Sequence, residues 1–570
     1  MGTPDELELV TTTLGALPII TFFTARMGLA ASLERFLPAT DARLRLNPAT
    51  VVRVVVANLV LHREPVYVLA EWARPYEPAL LGLDPRDLAA LNDDRVARVL
   101  ERLFDADRAS LLTTVVLAVV AEFGIDTREL HNDSTSVSFS GTAYPATPGR
   151  RGGQAVPAVT FGFNKDHRPD LRQLVFILTV AADGALPVAY RVESGNTNDS
   201  PTHVPTWDHL VQLLGRADFL YVADSKLCSR EAMDHIDRGG GRFVTVLPRS
   251  RAEDGWFREW CQAHRPVWTQ AETATGGAPG RAGPRVWSTF PAPLPSAEGY
   301  RIVWVHSSAK ATKDATARQA RIEAAVAAME DLSARLAKPK CRLRTTVAVE
   351  QAAAAALTAA GASRWLRVAV SQVTIETFRQ EGRGRPGATA RYRKYSRTSF
   401  QLSYDIDRDL VAYDAATDGC FPTITNDTQL TDAEVLAAYH YQPNLERRHH
   451  LLKGVQLVAP VFLHDPVRIE GLLCCHFLAM LVQALIEREI RRAMDQAQLD
   501  GIPLYPELRA CPAPSAARVL EIFASVARHR LLDAGRLVKV FQPTLTPLQL
   551  QCLDLLGIPV EVYTGTSPSS

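Results

Sequence analysis

The sequence predicts a mixed α/β chain with a helical N-terminal region and an insertion in its second half. Three observations carry that expectation. Residues 1 to 126 show helix starts and helical periodicity. Residues 133–140, 172–181, 186–193, 218–223 and 242–247 then read as strands, with helices interleaved among the last three. Residues 250–400 break that alternation with a Gly-rich flexible loop (272–283), Ala-rich helices and a basic loop (381–397).

In the N-terminal region, Asn47-Pro48 gives a polar cap followed by Pro at the first helical position, ahead of "VVRVVVANLVLH". Two more helices are expected in residues 91–124, entered at Asn92 or Asp93 and at Asp105 or Asp107, with Gly124 closing the second. About five helices are expected here. Residues 9–25 lack charge but follow Asp5, Glu6 and Glu8, so they read as a core helix rather than a secretory signal. Residues 471–486, "GLLCCHFLAMLVQALI", are short for a membrane span and contain His476, which predicts a buried helix with Cys474 and Cys475 as packing residues.

At 570 residues the chain exceeds one core, and its 47% apolar and 22% charged content is that of a globular protein. The net charge of +1 gives no global attraction for nucleic acid, so any basic surface is local. Eight scattered cysteines without a C-x-x-C pair argue against a zinc site or a disulfide framework and suit a reducing, cytoplasmic compartment.

Within the sheet region "ADGALP" (182–187) predicts a hairpin between the second and third strands, and helices precede the fourth and fifth. This order matches the opening of a ribonuclease H-like fold, in which the first and fourth strands are neighbours. "LHNDSTSVSFSG" (130–141) alternates Ser134, Ser136 and Ser138 with Thr135, Val137 and Phe139, the rhythm of a half-buried strand. Asp is a poor strand former, so Asp133 is either a water-facing edge residue or a carboxylate held in place. "DFLYVADS" ends its apolar run at Asp224, where a strand opens into a loop, the usual place for α/β active sites. Adjacent carboxylates raise one another's pKa unless a cation neutralises them, and Mg²⁺ or Mn²⁺ bound through oxygen is the natural partner. In "YHYQPNLERRHHLLKG" (439–454), Pro443 suits a first helical turn, and Glu446, His449 or His450, and Lys453 then share one face. That face reads either as a metal-binding carboxylate with a phosphate-gripping lysine or as a solvated charge pair.

From about residue 90 to the C-terminus the chain resembles the DDE transposases of bacterial insertion sequences, in the IS-four superfamily and its IS-sixteen-thirty-four-like branch. "NDSTSVSFSG" is similar to that family's first Asp strand, "FGFNKDHRPDLRQLVFILTVAADGALPVAYRVESGNTNDS" to its second and third strands, and "VADSKLCS" to its second Asp strand. "AYDAATDGCFPTITN" is similar to its D-G-x5-T-N passage. Tyr439, Gln442, Glu446 and Lys453 fit the signature Y-x2-R-x3-E-x6-K, with Gln in place of Arg, which removes the charge and fork geometry of one phosphate contact. The resemblance implies that Asp133, Asp224 and Glu446 bind two divalent ions, Mg²⁺ or Mn²⁺, for DNA cleavage and strand transfer at terminal inverted repeats. The alternatives are a transposase-derived DNA-binding protein that no longer cuts and a nuclease of the same fold.

On that reading residues 1–126 would recognise DNA ends, 127–249 and 401–500 would form the catalytic core, 250–400 the insertion, and 501–570 would pair protomers as a homodimer. Double-stranded DNA is the expected partner, with no membrane, in the cytoplasm of a bacterium close to its nucleoid. DNA contacts are expected from Lys453, Tyr439, Gln442, His449, Lys165 and Arg168, with a decorated surface turn as the alternative for Lys165 and Arg168 in "FNKDHRP". Residues 332–349 carry five basic side chains and no acid before Glu350, and residues 364–400 hold nine Arg or Lys against two Glu, local charge that would counter phosphate. Trp287 and Trp304 are candidates for base stacking or for core, and His131 is not expected to bind metal.

Overall fold

The computed structural model describes residues 7–39, 45–140, 144–145, 147–274, 285–338, 340–453 and 463–565. They form two compact units, residues 1–245 with 437–570, and residues 246–436.

The first unit opens with a strand, β1 (Leu7–Thr13), where helix is expected from residue 9. The run "LELVTTT" is rich in β-branched residues, and it pairs antiparallel with the strand Ala527–Asp533. Helices α1 (Leu17–Arg26), α2 (Leu29–Phe36), α3 (Pro48–Leu61), α4 (Leu69–Ala73), α5 (Asp93–Asp105) and α6 (Arg108–Phe123) follow. Their ends are where the sequence puts them. Asn47 accepts from the Ala49 N–H, Asn92 caps α5, Asp107 caps α6, and Gly124 closes α6 at a φ of 59°.

Next come β2 (Glu129–Phe139), the short hairpin β3 (Gly149–Arg151) and β4 (Gln154–Val156), β5 (Arg172–Ala181), β6 (Leu186–Ser194), α7 (His203–Leu214), β7 (Leu220–Ala223), α8 (Arg230–Arg238) and β8 (Arg242–Val246). The sheet runs β6-β5-β2-β7-β8. Its first three strands are antiparallel, and β7 lies parallel to both β2 and β8. β2 is therefore central. It is buried on both faces, and Ser134, Ser136 and Ser138 are covered rather than facing water as the alternation implied. The covering segment satisfies two of these hydroxyls: Asn164 Nδ2 donates to Ser138 Oγ at 2.9 Å and the Lys165 N–H to Ser136 Oγ at 3.2 Å.

The second unit contains α9 (Ala252–Ala263), β9 (Thr269–Ala274), β10 (Arg285–Pro291), β11 (Arg301–Ser307), α10 (Ser308–Ala337), α11 (Thr346–Ala360), β12 (Leu366–Gln380), β13 (Tyr392–Ile406), α12 (Arg408–Ala415) and β14 (Cys420–Thr425). Strands β9-β10-β11-β14 are neighbours in that order, all antiparallel. The expected loop at 272–283 begins inside β9, and its residues 275–283 lie outside the described residues. The basic stretch 381–397, expected as a loop, is strand from Tyr392 onward. Trp304 is core, stacked on Phe257 with ring centroids 3.7 Å apart, while Trp287 is half-buried on β10.

The chain continues through α13 (Asp432–His440) to α14 (Gln442–Lys453), α15 (Pro466–Gln496), α16 (Ala516–Glu521), β15 (Ala527–Asp533), β16 (Arg536–Phe541), α17 (Pro547–Leu555) and α18 (Glu561–Thr564). By length and composition α15 could cross a membrane, but its most apolar stretch is wholly buried, packed on α3, α5 and β6. Its buried charges are paired inside the unit: Glu470 with Arg108 at 2.5 Å, Arg488 with Asp183 at 2.7 Å and Glu487 with Arg448 at 2.8 Å.

Candidate active site

The apolar run of β7 makes it a buried strand beside β2, and the parallel register pairs Asn132 with Ala223. Asp133 and Asp224 are each one residue further on, so they stand abreast on adjacent strands spaced by about 4.8 Å. Each is fixed locally. The Ser134 N–H donates to Asp133 Oδ1 at 2.8 Å, the Lys226 N–H to Asp224 Oδ1 at 2.9 Å, and the Thr245 hydroxyl to the Asp224 carbonyl at 2.6 Å.

Burial pushes the pKa of both carboxylic acids up. For Asp133 the Lys165 ammonium opposes that shift and Asp199 adds to it. For Asp224 the Lys226 amide opposes it and Asp133 adds to it. Among the described residues the neighbourhood thus holds more negative charge than its single half-buried lysine balances.

Lys165 points into this cluster. Its Nζ lies 3.2 Å from Asp133 Oδ1, 2.7 Å from the Ser134 carbonyl and 3.5 Å from Asp199 Oδ2. Burial would lower its pKa, but Asp133, Asp199 and Asp224 outweigh burial and hold the group protonated. Arg168, from the same segment, is exposed and forms a bidentate pair with Asp170 at 2.8 and 2.7 Å.

Asp199 and its neighbour His203 escaped the sequence reading. His203 Nδ1 lies 3.2 Å from the Tyr221 hydroxyl, and its Nε2 is buried with no hydrogen-bond partner among the described residues. Burial brings its pKa down to about 4 against the pull of Asp224 and Asp199, so it is neutral near pH 7. The available signal was position: "NTNDSPTH" follows the strand that ends at Ser194 and precedes a helix, a loop at the sheet's rim.

One buried side chain ties the segments bearing Lys165 and Asp199 together. Gln173 Nε2 donates to Gly195 O at 2.7 Å and to Phe163 O at 3.1 Å, while its Oε1 accepts from Asn164 at 2.8 Å. The two backbones touch so closely that a Cβ on Gly162 would lie 1.9 Å from the Gly195 carbonyl oxygen, and one on Gly195 would lie 2.0 Å from that of Gln173. Only glycine fits at either position.

The helix α14 packs against β2. Arg448 sets its rotation: fully buried, it donates to Ala185 O at 3.0 Å and Gly184 O at 2.9 Å, and pairs with Glu487 on α15. His449 is thereby brought to Asp133, with Nδ1 3.7 Å from Oδ2. Glu446 shares that face one turn earlier, and its side chain is exposed. Tyr439 lies on α13 and Gln442 opens α14, both half-buried, with the helix broken at Tyr441 between them. The Tyr439 hydroxyl reports the convergence. Its pKa is raised by burial first and then by the negative fields of Asp224, Glu446 and Asp133. Lys453 is the last residue of α14, and its side chain lies outside what is described. His131 is buried, 2.8 Å from Glu129 and stacked on Tyr441 at 4.5 Å.

Among the described residues no three His, Cys, Asp or Glu side chains stand close enough to hold a metal ion jointly. The donor chemistry nevertheless fits a hard divalent cation. Asp133 and Asp224 offer oxygen ligands abreast, Asp199 shares a lysine with Asp133, and the buried negative charge is underbalanced.

A family profile described as a domain of unknown function (DUF4277) matches residues 9–117. No curated protein matches the chain. Among solved structures, a piggyBac transposase synaptic complex with hairpin DNA (SNHP), determined by cryo-electron microscopy, aligns with a TM-score of 0.27 and 10% identity, over 53% of this chain and 63% of that one.

Proposed function

We propose that this chain is a DDE-type transposase, a divalent-metal-dependent enzyme that cuts the DNA backbone at terminal inverted repeats and joins the freed end to target DNA. The observation that carries the reading is the parallel β2–β7 register, which sets Asp133 and Asp224 side by side. The strand order β6-β5-β2-β7-β8, expected of a ribonuclease H-like core, and the packing of the Glu446 helix on β2 support it. Asp133 and Asp224, with Glu446 from α14, would hold Mg²⁺ or Mn²⁺. Two such ions supply activation of a water or 3′-hydroxyl and stabilisation of the leaving oxygen.

The chain's own residues do the rest. The Ser134 and Lys226 amides fix the two carboxylates so that no reorganisation is needed at the moment of reaction. Lys165, whose ammonium lies between Asp133 and Asp199, would be the cation that meets a backbone phosphate brought to these carboxylates.

The test is incubation of the full chain with Mg²⁺ and linear duplex DNA carrying the sequences that flank its gene. The expected products are nicks at the repeat ends, absent in EDTA, followed by joining to a second duplex. Tight binding with no cut under any divalent ion would favour a DNA-binding protein that has lost catalysis, a reading to which the exposed position of Glu446 gives some weight. Cutting without joining would favour a nuclease.

A further inference from the structure

The second unit carries a structure that the catalytic reading does not use. β12 and β13 form a two-stranded antiparallel ribbon of fifteen residue pairs, from Leu366–Ile406 to Gln380–Tyr392. Only its base is packed: Leu366, Phe400 and Leu402 join a core with Ile322, Met329 and Leu332 of α10. From Val373 to Arg379 every residue of β12 is exposed, and so is β13 from Tyr392 to Ser396, with Arg397 and Ser399 half-buried, so the outer eight pairs extend about 27 Å with little cover.

The outer part is strongly basic and sorted by face. Residues opposite one another in the register share a face. One face presents Arg379, Arg393, Arg397 and Tyr395 together with Thr377, Ile375, Val373 and Ser399, and no acid. Arg379 stands directly across from Arg393, and both guanidinium groups lie over the Tyr395 ring, at 5.7 and 5.9 Å. None of the three arginines forms a salt bridge with an acid among the described residues. The other face is balanced instead, with Lys394 paired to Glu376 at 2.6 Å. Like charges directly across a strand pair are destabilising. A face that accumulates them without a counter-charge is built for an anion that comes from outside.

We infer that the Arg379/Arg393/Arg397 face of the β12–β13 ribbon is a duplex-DNA-binding arm. The choice of DNA as the polyanion rests on the reading of the chain as a DNA-acting enzyme. The arm's geometry supports the choice, because the major groove of B-DNA admits a two-stranded β-ribbon. Guanidinium groups on one face of an extended ribbon meet phosphates along a groove wall, whereas a compact anion would engage only the Arg379–Arg393 pair.

The test is fluorescence anisotropy with a labelled duplex of arbitrary sequence, in EDTA, across a range of salt. The triple variant R379T/R393T/R397T is compared with wild type and with E376T/K394T, which alters the opposite face at constant net charge. If each arginine covers one phosphate, the triple variant's slope of log affinity against log salt falls by about 2.7, and its affinity at moderate salt falls at least about tenfold. E376T/K394T binds as wild type does, and the triple variant melts no lower than wild type. Wild-type affinity and slope in the triple variant would overturn the inference, as would displacement of the duplex by an equal charge of poly-glutamate or stronger binding of single strands. Because binding is read in EDTA, the two proposals fail separately. Binding through the arm without any cleavage in Mg²⁺ would sink the catalytic reading alone, and cleavage with the arm's arginines dispensable for binding would sink the arm alone.

Discussion

Asp133→Asn and Asp224→Asn are each expected to lower Mg²⁺-dependent DNA cleavage by at least about a thousand-fold, ~4 kcal/mol of barrier, while the protein stays folded. Asn keeps the size of Asp and a carbonyl oxygen that accepts from the Ser134 or Lys226 amide, so the local turn survives. What disappears is a negative oxygen ligand at a place where two strands bring a pair together. Both carboxylates are held in surroundings that raise their pKa, so a neutral side chain relieves charge crowding. The melting temperature is therefore expected to hold or rise. DNA affinity in EDTA is expected to match wild type, which separates a chemical defect from a binding defect. Cleavage within tenfold of wild type in either variant would remove these residues from the chemistry.

Arg448→Met is expected to destabilise the first unit by about 3 kcal/mol and to reduce cleavage beyond the effect of stability. Methionine replaces much of the apolar stem, so the loss is mainly polar. The Ala185 and Gly184 carbonyls lose the Arg448 donors, and among the described residues Glu487 keeps only Arg491 at 3.7 Å and the Ala516 N–H at 3.1 Å. Breaking one side of a buried ion pair costs in the range of ~3–5 kcal/mol, moderated here by those remaining partners. The second consequence is positional. Arg448 clamps α14 to the β5–β6 turn and to α15, and that clamp fixes which face of the helix, with Glu446 and His449, is turned to Asp133. Denaturant unfolding measures the first effect, and cleavage assayed well below the melting transition measures the second.

Much of the first unit was legible because its signals are local. Asn47, Asn92 and Asp107 mark helix starts by side-chain caps that act within three residues, and Gly124 marks an end by adopting the left-handed backbone. The five strands of the sheet were found from their apolar runs and turns, and the end of β7 just before Asp224 was legible because the apolar run stops there. The errors share a different cause. β1 reads as the start of a helix until its partner β15, more than five hundred residues away, is in view. The basic run after Arg391 looks like loop because its side chains are polar on both faces, which is what an uncovered ribbon requires. The serines of β2 suggest a solvent face, but a segment about thirty residues later in the chain, anchored by Asn164 and Gln173, covers them.

At the candidate site the sequence showed which polar side chains lie near strand ends, but not what surrounds them. Lys165 sits in what reads as a surface turn, yet its ammonium lies between Asp133 and Asp199. Asp199 lacked a motif of its own, and only the loop's return over the sheet rim gives it a role.

The most direct measurement of the central claim is Mn²⁺ binding to the full chain, followed by loss of the free-ion electron paramagnetic resonance signal. The account predicts about two ions per wild-type chain, with the stoichiometry collapsing in the Asp133→Asn/Asp224→Asn double variant. Equal Mn²⁺ uptake by the double variant and the wild type would contradict it.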